Sequence, residues 1–206
     1  MLMKNQSFLF RLVVLVAAMM CALGASAAEA YANYTPSNTT LTFYYDNQRA
    51  SRPGTTYDLN TGSNYTGWKA DGTNYNVTEV VFDPSFANVR PTTTNGWFYG
   101  MENLLSITGM SYLNTSEVTN MAWMFAHCYR LNSLDLSSFN TSKVTAMFCM
   151  FISCNSLTSL DLSSFNTSQV TNMDSMFKGC SYLQTITVGS GWTTAAVTSS
   201  TDMFLN

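Results

Sequence analysis

Three cysteines, Cys128, Cys154 and Cys180, each follow the last by 26 residues. Thiols of this kind either bind zinc or pair as disulfides, and both uses require the sulfurs to converge. Rungs of one parallel ladder lie ~4.8 Å apart, inside the Cα range of a disulfide. Stacked side chains point the same way, however, and three sulfurs leave one over. A 26-residue spacing also lacks the C-x-x-C closeness of a zinc site. The expectation is therefore buried free thiols and no metal. Cys149 stands off this series, in the slot that holds Trp123 and Ser175 in sister repeats. It is expected at the surface, where an oxidising compartment allows an intermolecular bridge.

Asp135 and Asp161 form a second series. Two carboxylates one strand spacing apart can hold Ca²⁺ or act as an acid/base pair. Thr187 takes their slot in the next unit and Thr108 or Gly109 in the one before, and no third acid or base stands in register. A solvated surface is expected instead. A Ser/His/Asp triad would have to use His127, the single histidine, whose slot is Ser153 and Gly179 elsewhere. That tolerance suggests a surface loop. One histidine excludes HExxH zinc chemistry, and neither a G-x-S-x-G elbow nor a phosphate-binding Gly loop is present. The chain reads as a non-enzyme without a cofactor.

The positions that carry these residues belong to a repeat. Val118, Val144 and Val170 recur with the cysteines, as do Met121, Met147 and Met173, then Phe125, Phe151 and Phe177, then Leu131, Leu157 and Leu183. The run Leu134-Asp135-Leu136-Ser137-Ser138-Phe139-Asn140-Thr141-Ser142 returns unchanged at 160–168. Phe98 precedes Phe125 by 27 and Phe204 follows Phe177 by 27, which marks a divergent first unit from about 80 and an incomplete last one.

Within a unit the Leu157-x-x-Leu160-x-Leu162 spacing predicts a strand, with Leu160 and Leu162 on one face. Val170, Met173, Met176, Phe177 and Cys180 then fall on one stripe of a predicted short helix, started by Thr171 and ended by Gly179. Asn166-Thr167-Ser168 is the turn between them. The Met stripe is read as core rather than as a promiscuous groove. No unit can bury its apolar face alone, so stacked units share one core.

The remaining sequence divides simply. Residues 1–27 read as a signal peptide: Lys4 and Arg11, an uncharged apolar run, then Ala25-Ser26-Ala27 with cleavage after Ala27. The apolar run is shorter than the ~20 residues a membrane span requires. Cys21 follows Met20 rather than the small residue a lipobox needs. Residues 28–79 lack the repeat. Leu41–Tyr45 and 55–59 read as strands of a β-rich N-terminal cap over an otherwise open solenoid end, with Trp68 as an apolar plug. Residues 80–206 form the solenoid of about five units. Only 10% of the 206 residues are charged, the net charge is −3, and Ser, Thr and Asn, at 24, 27 and 19, make up about a third of the chain. Uncharged polar groups therefore solvate the surface, and no basic stripe exists for nucleic acid.

The segments 134–154 and 160–180, Leu-Asp-Leu-Ser-Ser-Phe-Asn-Thr-Ser-x-Val-Thr-x-Met-x-x-Met-Phe-x-x-Cys, resemble the 26-residue repeat of bacterial surface proteins, the BspA-like leucine-rich-repeat family. The weaker copy at 107–128 and the leader Asn38-Thr39-Thr40-Leu41-Thr42-Phe43-Tyr44-Tyr45-Asp46 are similar to it too. The resemblance implies an α/β leucine-rich solenoid on an exported bacterial protein, secreted, cell-surface or periplasmic, that acts in binding or adhesion. It supplies no catalytic residues. The expected partner is a host or bacterial surface protein or glycan. The expected binding face is the outward side of the L-x-L strands: Ser133, Asp135, Ser137, Ser159, Asp161, Ser163, Thr185 and Thr187. The alternatives are a structural spacer or truncated copy without a ligand, and a glycan hydrolase built on Asp135 and Asp161.

Overall fold

The computed structural model describes residues 26–59 and 66–205. The signal segment 1–25, with Cys21, lies outside them. The chain is mixed α/β, mostly strand and turn with few helices, and no barrel closes among the described residues. Strands β1 (Glu29–Thr35), β2 (Thr40–Asp46) and β3 (Thr55–Asp58) form an antiparallel set in which β1 is central. The latter two strands are those read from the sequence. The first was missed because its alternation, Tyr31 against Ala32 and Asn33, is weak.

β2 pairs in parallel with β4 (Glu79–Phe82), and β4 with β5 (Ser106–Thr108), so the N-terminal strands and the first repeat share one five-stranded sheet. β6 (Ser159–Leu162) and β7 (Thr185–Val188) make a separate parallel pair. The equivalent segment at 133–136 is not a strand, so the strand expected in every unit forms in only some of them.

The predicted repeat helix is absent. The stripe residues are buried as expected, with Val170, Met173 and Met176 fully so, but the backbone is a run of tight turns. Every second N–H crosses to the next repeat: Met147 to Asn172 O (3.0 Å), Cys149 to Asp174 O (2.8 Å), Phe151 to Met176 O (2.9 Å), Ser153 to Lys178 O (2.8 Å). Intervening N–H groups close i to i+3 turns, as in Met150 to Met147 O (3.2 Å) and Cys154 to Phe151 O (3.1 Å). Two slots per repeat take positive φ, Trp123, Cys149, Ser175 and Asp202 in one and His127, Ser153 and Gly179 in the other. A right-handed helix excludes that conformation. Thr171 therefore caps nothing: its N–H and hydroxyl both donate to Thr145 O of the preceding repeat. Gly179 supplies a left-handed turn instead of ending a helix.

The Phe rings at repeat spacing stack from Phe98 to Phe204. Phe98–Phe125, Phe125–Phe151, Phe151–Phe177 and Phe177–Phe204 centroids are 5.3, 5.6, 5.7 and 5.3 Å apart. The 27-residue offsets at both ends thus hold the same register. Trp68, on the one-turn helix α1 (Gly67–Ala70), is fully buried and meets Phe43 edge-on at 5.6 Å, while Phe43 stacks on Trp97 at 5.3 Å.

Candidate functional site

The eight residues read as a binding face are all exposed. β6 and β7 align Ser159 with Thr185 and Asp161 with Thr187, while Leu160 and Ile186 turn inward between them. Strand alternation therefore sets hydroxyls and a carboxylate of successive repeats side by side on one face. Ser133, Asp135 and Ser137 occupy the matching positions one repeat earlier, on irregular backbone.

The aspartates also fix the chain locally. Asp161 Oδ1 accepts from the Ser163 N–H (2.9 Å), and Asp135 Oδ1 accepts from the N–H (3.0 Å) and hydroxyl (2.7 Å) of Ser137. Each closes the turn that follows its strand position. These bonds from serine hold both carboxyls below the usual aspartate range, so both are anionic at neutral pH. No group of three or more His, Cys, Asp and Glu suited to a metal exists among the described residues.

The thiol series is buried as expected. Cys128, Cys154 and Cys180 are free, and each Sγ lies within hydrogen-bond reach of a preceding repeat's carbonyl: Phe98 O (3.2 Å), Phe125 O (3.1 Å) and Phe151 O (3.0 Å). Burial pushes all three thiols up, Cys180 to about 11. Cys149 corrects the expectation of exposure: it is buried, 8% accessible, and burial raises its thiol to about 11. Trp123 and Ser175, in the same left-handed slot, are partly exposed, so the slot alone does not set burial. His127 is half-buried in its left-handed slot.

A buried threonine series escaped the sequence reading. Thr115, Thr141 and Thr167 are almost wholly enclosed. The Thr141 hydroxyl donates to Asn166 O (2.9 Å) and accepts from Asn166 N–H (2.8 Å); Thr115 does the same with Asn140, at 3.0 and 2.8 Å. One hydroxyl thus satisfies both backbone groups of the next repeat. The recurrence of Asn-Thr-Ser was the signal, and it was read only as a turn.

Residues 92–206 match the family described as "Mycoplasma protein of unknown function, DUF285". That span exceeds half of the 206 residues, and the chain belongs to this family. No curated protein matches the chain. The crystal structure of a leucine-rich cell surface protein from Faecalibacterium prausnitzii A2-165 is similar over 88% of this chain, at 17% identity and a TM-score of 0.46. The similarity covers 47% of that protein, so this chain spans about half its length. Among the described residues no helix is long and apolar enough to cross a membrane.

Proposed function

We propose that this chain is an exported bacterial surface or secreted protein of the BspA-like kind. Its repeats stack as a leucine-rich-repeat-like solenoid, and β1–β3 with α1 cap the first repeat. It acts by binding a host or bacterial surface protein or glycan, without catalysis or cofactor. The observation that carries this reading is the in-register exposed row Ser159–Thr185 and Asp161–Thr187 over the inward Leu160–Ile186 pair. A stacked repeat multiplies such a row into an extended polar surface, the feature repeat proteins use for recognition.

The reading is tested with residues 28–206 on immobilised matrix proteins, bacterial cell surfaces and glycans. Saturable binding is expected, and the double variant Asp161→Arg, Thr187→Arg should abolish it while melting normally. Binding that survives this variant overturns the assignment of the face. Export is tested separately: N-terminal sequencing of secreted material should begin at Ala28, and recovery of protein that still begins at Met1 overturns it.

A further inference from the structure

Among the three regular repeats the outer slots of the turn ladder differ while the inner slots do not. In these repeats the inner positions keep Met, Phe and Cys, as in Met121, Phe125 and Cys128. The slot of Trp123 becomes Cys149, Ser175 and Asp202; that of Tyr129 becomes Asn155 and Ser181; Phe148 stands where Asp174 follows. The sister repeats show that the backbone is built equally well with small polar residues here. The aromatic choice in the earlier repeats is therefore not a demand of the fold.

These aromatic side chains meet. Trp123 packs edge-to-face on Tyr99 (5.6 Å) and on Phe148 (6.1 Å), Tyr99 on His127 (5.5 Å), and His127 on Tyr129 (5.7 Å). All five are partly exposed. They make a strip that spans three successive turn ladders, ~10 Å at ~4.8 Å per rung, with Trp123, His127 and Tyr129 side by side on the middle one. Trp123 and His127 hold left-handed φ values of 60° each, a conformation bulky residues seldom take. Backbone of that kind, filled by a large half-exposed ring where Ser175 suffices elsewhere, points to use rather than to packing.

The surroundings define the ligand. The polar atoms within the strip are the hydroxyls of Tyr99 and Tyr129, the His127 imidazole and the Trp123 indole N–H, with Tyr129 Oη and His127 Nδ1 3.2 Å apart. Lys69, whose Nζ lies 5.0 Å from the Tyr99 ring centre, and Glu102, which acts on His127 and Tyr129, bring one charge of each sign beside the strip. A neutral strip of ring faces edged by hydroxyls matches a chain of neutral sugar rings, whose C–H faces lie on aromatic faces while their hydroxyls bond to polar tips. A protein partner would need a broader patch, of the order of 800 Å². We propose that Tyr99, Trp123, His127, Tyr129 and Phe148 form a binding site for a neutral glycan chain, separate from the sheet face proposed above.

The test uses residues 28–206 with soluble tetrasaccharides of β-1,4-glucan, β-1,3-glucan and α-1,6-mannan, followed by titration calorimetry and tryptophan fluorescence. At least one should bind and perturb the emission. The variants Trp123→Ser and Tyr129→Asn install residues the sister repeats already carry, so both should melt normally. Each should weaken that binding by about tenfold or more, the weight of one stacked ring. Three results overturn the proposal: none of the probes binds, Trp123→Ser binds them as well as the parent chain, or the variants lose a protein ligand while sugar binding stays unchanged. Sugar binding lost only in the sheet-face double variant would also overturn it, and would leave the sheet-face reading standing.

Discussion

The first and the last described repeats are covered differently. At the N-terminal end the first turn ladder has carbonyls that a preceding repeat would have engaged, and side chains take that place. Trp68 Nε1 donates to Trp97 O (2.7 Å), and Asn74 Nδ2 donates to Tyr99 O (3.3 Å) and Gly100 O (2.8 Å). Gly100 holds a φ of +67° there, and a Cβ would stand 3.1 Å from Asn74 Nδ2 and crowd that bond. The sheet continues across the same boundary through the β2–β4 pairing. At the other end the last ladder is bonded inward, with Phe177 N–H to Met203 O at 2.9 Å, but little covers it. Phe204 is 63% exposed and Leu205 51%, and a cavity of about 380 Å³ opens between Phe177, Cys180, Ile186 and Phe204. The same stacked rings are core at one end and surface at the other. Among the described residues, non-repeat sequence supplies the neighbour of the first ladder.

The largest effect is expected from removing that neighbour. Trp68→Ala should cost about 3–5 kcal/mol in urea denaturation, since it opens a cavity beside Phe43 and orphans Trp97 O. A loss below 1 kcal/mol would mean the capped end is no firmer than the open one. Met176→Ala, inside the array and fully buried, should cost about 2–5 kcal/mol.

Thr141→Val keeps the shape but deprives Asn166 of both backbone partners. About 1–3 kcal/mol is expected, the cost of buried polar groups left unpaired. Phe204→Ala should cost under ~1 kcal/mol, because most of the ring already faces water. A cost equal to that at Met176 would erase the contrast between interior and end.

Thiol labelling probes the same gradient without altering the chain. Cys180 borders the open cavity, while Cys128 and Cys154 have no accessible surface. Among the three ladder thiols Cys180 should react first on raising the pH, and Cys128 and Cys154 only after denaturation. The sign of the linked stability follows from the raised thiols. Burial favours the neutral form, so the Cys180 contribution is complete below the unfolded value near 9. It is lost as pH rises from there through about 11. A denaturation midpoint that stays flat across that window would contradict it.

Much of this was legible from spacing. The 26-residue recurrence located the Phe stack, the thiol series and the inward-facing leucines, because identical slots in identical units must face the same way. Strand alternation placed Ser159, Asp161, Thr185 and Thr187 at the surface. The exposure of Cys149 was misjudged because the slot alone does not set burial: Trp123 and Ser175 share it and are partly exposed, while Cys149 is enclosed by its tertiary neighbours.

The sequence alone determined the period, the register and the apolar stripe of the core, though not Cys149 or the buried threonines. Only the tertiary structure decided what backbone carries that core. Apolar residues at i, i+3, i+6, i+7 and i+10 face one way both on a helix and on successive i to i+3 turns. The choice rests on where alternate N–H groups go: in a helix each finds its carbonyl four residues back, whereas here every second one reaches a carbonyl about 25 residues ahead, as Met147 reaches Asn172. The closure of the first repeat by Trp68 and Asn74 is likewise a meeting of distant segments. No local pattern encodes a partner that arrives only when the chain has folded back upon itself.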